Sequence, residues 1–208
     1  LKNAFLFLLQ KRITELYTPG PYDPRWRYSF AVDVAYHKDD AYVAGVLYDM
    51  VNEKEVERKL KCTQVTFPYV PGLLYAREAP PILELMSELK LHYDILIVNG
   101  HGRLHPRKAG LATVVGILLD APTIGIAKRL LYGKVISKGS VNPVIADGKV
   151  EGFEVISGGK KFYASPGNRL DVDAVYEFLK ARRFTFPKEL DLADRESKRF
   201  KRSLTSRD

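Results

Sequence analysis

The stretch YSFAVDVAY (28–36), followed across the polar turn HKDD by AYVAGVLYDMV (41–51), decides the fold. Both runs are rich in β-branched and aromatic residues that suit a pleated surface, and so short a connector predicts an antiparallel pair. KEVERKLKCTQV (54–65) alternates less cleanly, and its lysines suit an edge strand, where charge discourages further pairing. Three strands joined this closely predict a meander.

The periodicity then changes. Over residues 78 to about 92, Ile82, Leu85, Met86 and Leu89 recur at helical spacing, and DILIVNG (94–100) reads as a buried parallel strand ending in a glycine-rich loop. A helix over 109–119, a buried strand PTIGIAK (122–128), a hairpin between about 134 and 164 and two closing helices complete the chain. The expected class is α/β, a mixed sheet of antiparallel meander plus parallel strands with helices on both faces. The connector YTPGPYDPRW (17–26) is punctuated by Pro and Gly. The apolar opening LKNAFLFLLQ is too short to span a bilayer and lacks a small-residue cleavage site. With Phe5, Leu8, Leu9, Ile13 and Leu16 sharing a stripe, it predicts a docked amphipathic helix. Residues 1–208 are expected to form one domain, closed by a basic helix over about 189–208.

The 208 residues carry 33 Lys plus Arg against 25 Asp plus Glu, a net charge of +8, and are 46% hydrophobic. That composition excludes a disordered chain and a stapled mini-protein. The single cysteine, Cys62, excludes an internal disulfide and a cysteine-based zinc site, so a reducing, cytoplasmic home is expected. Residues 180–208 hold ten Lys or Arg against five acids, and so carry +5 of the +8. Such a run is either a solvated helix face or an electrostatic footprint for a polyanion.

Asp33 is the most informative residue, because a carboxylate inside the apolar run FAVDVAY is costly to bury without a partner. Either an Arg, a Lys or a sheet edge satisfies it, or it is a ligand for Mg²⁺, which favours carboxylate oxygens. Glu78 follows VTFPYVPGLLYAR; it either complements a helix N-terminus or is a second acid of the same centre. The aromatic and Pro-Gly crowding of that lead-in suits a stacking platform or wedge against nucleobases. In VNGHGRLHPRKAG (98–110), Gly100 and Gly102 permit close backbone approach at the carboxyl end of a strand. His105 reads as a phosphate or water contact, Arg107 and Lys108 as favouring a polyanion, and Lys128 as either a surface lysine or a site residue.

Together, FAVDVAY, TFPYVPGLLYARE, VNGHGRLHPRKAGLA, APTIGIAKRLLYGK and ASPGNRLDV resemble the endonuclease V family in order and spacing, over roughly residues 28–203. The resemblance implies a ribonuclease H-like sheet and an enzyme that recognises inosine, in DNA for bacterial-type members and often in RNA for others. It implies hydrolysis of the second phosphodiester 3′ to the lesion, giving 3′-hydroxyl and 5′-phosphate ends, with Mg²⁺ or Mn²⁺. Asp33 and Glu78 match the metal-binding acids, and Asp194 matches a further metal position filled by Asp or His. Tyr69 matches the wedge, and Pro71, Gly72, Leu74, Gly100 and Gly102 fall around the flipped hypoxanthine. His105 and Lys128 match phosphate-contacting or catalytic positions.

Two departures stand out. Asn99 occupies the place of the Asp in the family's Asp-Gly-x-Gly motif, among the catalytic and metal positions, and Val114 stands where many members have His. A neutral amide oxygen weakens a hard-cation site, so attenuated cutting with retained binding is expected. A non-cleaving binder of inosine-containing or branched nucleic acid is the rival reading. A ribonuclease H-like nuclease of other specificity is a third. A monomer without membrane association is expected.

Overall fold

The computed structural model describes residues 2–205. The chain opens with helix α1 (Lys2–Thr14) and then enters the meander β1 (Tyr28–His37), β2 (Asp40–Asp49) and β3 (Lys54–Gln64). Helix α2 (Leu74–Ser87), strand β4 (Ile95–Asn99), helix α3 (Leu111–Leu118) and strand β5 (Thr123–Ala127) follow. Strands β6 (Lys134–Val135), β7 (Val141–Ala146), β8 (Lys149–Ser157) and β9 (Lys160–Asn168) lead to α4 (Val172–Ala181) and α5 (Lys188–Thr205). Leu1 of the expected first helix, and residues 206–208 of the expected basic helix with Arg207 among them, lie outside the described residues. None of the described helices is long and apolar enough to cross a membrane.

The strands form one sheet in the order β3-β2-β1-β4-β5-β9-β8-β7-β6. Strand β1 pairs antiparallel with β2 and parallel with β4, and β4 pairs parallel with β5. Lysine-bearing β3 is an edge strand, as its composition predicts. Because side chains alternate along β1, Phe30 and Val32 pack towards α2 and α3, while Ala31 packs with residues of α4 and α5 on the opposite face. Helices therefore cover both faces. The register Val32↔Val98 places Asp33 and Asn99 side by side where β4 and its pairing with β1 end.

Three expectations need correction. The segment 134–164 is not a simple hairpin, since it contributes to a four-strand antiparallel extension, β6 to β9. Helix α2 begins at Leu74 and ends at Ser87, so Glu78 lies in its second turn and cannot complement the first. Pro80 and Pro81 obscured that start. Pro81 has no N–H for the carbonyl of Arg77 four residues back, and Tyr36 Oη donates to that carbonyl at 3.5 Å instead. On α1, Phe5, Leu8 and Leu9 are exposed, as is Leu16 beyond its end, and Leu6, Phe7 and Ile13 pack inward beside fully buried Gln10. Gln10 turns the helix because its amide binds the Ala109 carbonyl and Arg107, a polar anchor that an apolar count does not register.

The basic C-terminal segment is docked rather than frayed. On α5, Arg195 pairs with Asp191, Lys198 with Asp194 and Arg199 with Glu196, so much of its charge is matched within the helix. Its inward face carries Glu189, which is completely buried and accepts from Ser29 Oγ at 2.6 Å and Arg182 Nη2 at 2.7 Å. Removing one partner of such a pair leaves the other charge unmatched. Glu189→Ala is expected to lower the unfolding free energy by about 3–5 kcal/mol, measured as a fall in the urea midpoint at unchanged m-value.

Candidate active site

The carboxyl ends of β1 and β4 meet the inner face of α5, and there Asp33 is buried, with 7% of its surface exposed. Among the described residues no Lys or Arg forms an ion pair with it, and β1 lies inside the sheet rather than at an edge. Asn99 Nδ2 donates to its Oδ1 and Ser197 Oγ to its Oδ2, so strands 66 residues apart and a helix 164 residues away converge on one carboxylate.

Glu78 approaches from α2. Burial first, and then the negative charge of Asp33, push its carboxyl up to about 8, with Arg77 opposing. The same surroundings raise the Tyr36 phenol, through burial first and then Glu78. Arg77 is fixed for this role: Nη1 donates to the Phe67 carbonyl at 2.6 Å, and the guanidinium lies 4.3 Å from the Tyr36 ring centroid. A carboxyl group whose ionisation is opposed by burial and by a neighbouring carboxylate would ionise more readily beside a cation. Asp33, Glu78 and the Asn99 amide oxygen form an all-oxygen donor set, which fits a hard divalent ion, with one neutral member. Asn99 now turns its donor end towards Asp33. Among the described residues, no three His, Cys, Asp or Glu side chains form a metal-holding group.

Asp194 sits one α5 turn before Ser197, held by Lys198 at 2.8 Å and Lys128 at 3.3 Å. Burial raises its carboxyl, but these two lysines outweigh that effect and hold it below the usual range. Lys128, just after β5, is an exposed lysine that pairs with Asp194. It also lines a groove of about 790 Å³ along the flank of α5, where Lys160, Lys161, Lys188 and Arg195 contribute positive charge.

On the opposite side, a cavity of about 360 Å³ opens between α2 and the loops after β4 and β5. Tyr69, 67% exposed, stands among its lining residues with Gly72, Leu74, His101 and His105. Its volume and mixed walls are those of a small-molecule site. Pro71, Gly100 and Gly102 do not line it. The Gly100 and Gly102 amides donate to the Ile126 carbonyl and Ser165 Oγ, and a Cβ on Gly102 would come within 2.0 Å of the Pro166 carbonyl oxygen. Arg107 and Lys108 likewise serve the fold, Arg107 on Gln10 and Gly72, Lys108 on Glu151. Sequence reasoning missed Ser197, Tyr36 and Gln10, none of which lies in a pattern that marks it.

His105 is almost completely buried beneath Gly72. Burial first, then the charges of Arg107 and His101, lower its imidazole to about 4, although a hydrogen bond with the Gly72 backbone opposes the shift. The depressed folded value means the unfolded chain binds more protons between about pH 6.5 and 4. Stability from this group is full above 6.5 and is lost as pH falls through about 4, by about 3 kcal/mol. Urea midpoints between pH 7.5 and 4 should therefore fall more steeply for the parent than for His105→Gln; parallel curves would count against a buried neutral imidazole.

Comparison with known proteins adds a family likeness. The family model described as Endonuclease V matches residues 11–195. An Endonuclease V from Sulfolobus acidocaldarius is 40% identical over 171 residues, 82% of this chain and 81% of the relative. The crystal structure of the Streptomyces avermitilis Endonuclease V superposes with a TM-score of 0.88 at 29% identity, covering 97% of this chain and 94% of the other. At 20% identity, a Ciona intestinalis Endonuclease V bound to a 24mer DNA containing an inosine shares the fold, with a TM-score of 0.89 over 98% of this chain and 99% of its own.

Proposed function

The chain belongs to the endonuclease V family of nucleases, with its ribonuclease H-like fold, and from that premise we propose that it recognises inosine and hydrolyses the second phosphodiester 3′ to it, with chemistry attenuated by Asn99. One observation carries the reading: helix α2, which brings Glu78 into electrostatic contact with Asp33, also supplies Leu74 and Tyr75 to the wall of a base-sized cavity flanked by the exposed ring of Tyr69. The inosine-bearing DNA seen in the Ciona relative supports the choice of substrate.

In this reading the base leaves the stack and enters the 360 Å³ cavity, where backbone groups of Gly72 and Leu74 meet its edge. Tyr69 fills the gap left behind. His105 supports the Gly72 wall from beneath, and Pro71 stiffens the approach to it. Gly100 and Gly102 act by letting the loop after β4 pack closely enough to shape the cavity. Asp33, Glu78 and Asn99 would hold Mg²⁺, or Mn²⁺ in its place, and such an ion would supply polarisation of the scissile phosphate and a lowered pKa for water. Lys128, steadied by Asp194, stabilises negative charge developing on the phosphoryl oxygens. For Asp194 to serve as a ligand it must release its two lysines. Attack at phosphorus breaks the bond to the 3′ oxygen, leaving a 3′-hydroxyl and a 5′-phosphate.

The hydrogen bond from Asn99 to Asp33 also favours a second reading, a family member that binds and scarcely cuts. The amide already occupies an Asp33 oxygen, and it brings no charge of its own. Incision of strands with one central inosine, in DNA and RNA, with Mg²⁺ or Mn²⁺, separates the two. Asn99→Asp is expected to raise incision by about 10²-fold or more, on the scale of electrostatic contributions to catalysis. Equal incision by both forms would remove attenuation from the account. Substrate preference has its own readout: equal binding and cutting of inosine and adenine strands would refute it.

The wedge role predicts that Tyr69→Ala weakens binding to inosine in duplex more than in single strands, because only the duplex leaves an unstacked gap to fill. Equal losses on both substrates would remove the wedge.

A further inference from the structure

The residue that closes the cavity wall lies outside the family match, which begins at residue 11. Gln10 lines the cavity and is 1% exposed. Its Nε2 donates to the Ala109 carbonyl, while its Oε1 accepts from Arg107 Nε at 2.6 Å. A guanidinium only donates and a carbonyl only accepts, so the two ends of the amide have one possible orientation. Arg107 carries the connection onward, with Nη2 donating to the Gly72 carbonyl at 2.7 Å and its guanidinium 4.4 Å from the Phe7 ring centroid. Gly72, at φ +79°, admits no Cβ, which would stand 2.7 Å from that same Nη2.

We propose that Gln10 is a positioning residue for substrate specificity: through Arg107 it fixes the Gly72 carbonyl and the 68–74 loop in the geometry that discriminates the base. This rests on the cavity being the base site. The chemistry demands glutamine. A glutamate could accept from Arg107 but would set a second oxygen against the Ala109 carbonyl, and a methionine of similar length would make neither bond. Helix α1 has two other ties, Tyr75 Oη to the Leu6 carbonyl at 2.7 Å and Thr14 Oγ1 to the Lys108 carbonyl at 3.0 Å, so the helix remains attached when Gln10 changes.

The test uses the full chain, with Gln10→Met and Gln10→Glu compared against Thr14→Val, which cuts a tie of α1 without touching the Gln10–Arg107 connection. Hydrogen exchange is read at a temperature where melting curves show every form folded. Faster exchange is expected at Leu73, whose amide is bonded to the Val70 carbonyl, in both Gln10 variants, with β4 unchanged. In binding without added divalent ion, affinity for a single-inosine oligonucleotide should fall about tenfold while that for the matched adenine oligonucleotide holds, the signature of lost preorganisation. The slope of affinity against salt should not move, since no phosphate contact is altered. Unchanged exchange over 68–74 in the Gln10 variants, or equal effects from Thr14→Val, overturns the proposal. Absence of any inosine preference in the parent chain refutes the base-site reading instead, and exchange at Leu73 still decides whether Gln10 holds the loop.

Discussion

A carboxylate buried at the middle of a sheet is the constraint on which this molecule is organised. Asp33 has no neighbouring strand residue able to balance it and no cation within its own hairpin, so its oxygens must be satisfied from elsewhere in the chain. One partner comes from β4, through the parallel register that sets Asn99 alongside. The other comes from α5, which must therefore cross β1 at the height that delivers Ser197. Glu189, nearer the start of the same helix, fixes that crossing a second time through Ser29 at the opposite end of β1. Two buried polar contacts on one helix thus specify its position more sharply than its apolar residues do. A polar contact has direction as well as energy.

The same economy appears on the other face. Proline in a helix interior leaves a carbonyl without its partner, and at Arg77 the phenol of Tyr36 supplies one from β1. Tyr36 also stacks against the Arg77 side chain, which reaches back to the Phe67 carbonyl. The backbone irregularity, the arginine and the aromatic ring thereby form one support. It holds Glu78 where burial and the charge of Asp33 oppose its ionisation.

How much of this the sequence discloses follows from the range of the forces involved. The meander, the parallel strands and the edge position of β3 are legible because β-branched runs and short polar connectors act locally. Asp33 is legible as an anomaly, since a charged residue in FAVDVAY contradicts its surroundings wherever the strand lies. Its partners are not, because Ser197 is one serine in a charged helix and nothing nearby marks it. The face of α1 was misread for a related reason. Periodicity weighs Phe5 and Leu8 above Gln10, whereas the folded chain has a carbonyl and a guanidinium waiting for an amide at position 10. Arg107 and Lys108 looked like surface charge because their internal partners, Gly72 and Glu151, lie 35 and 43 residues away.

The bond between Ser197 and Asp33 spans 164 residues, nearly the whole chain. Contacts of such separation form late, after the loop entropy of everything between them has been spent. During synthesis the acid therefore emerges well before the helix that completes its surroundings. Until that helix follows, a growing chain carries Asp33 without the hydroxyl that binds it in the folded protein. The order in which the residues are made sets the order in which the centre can be assembled.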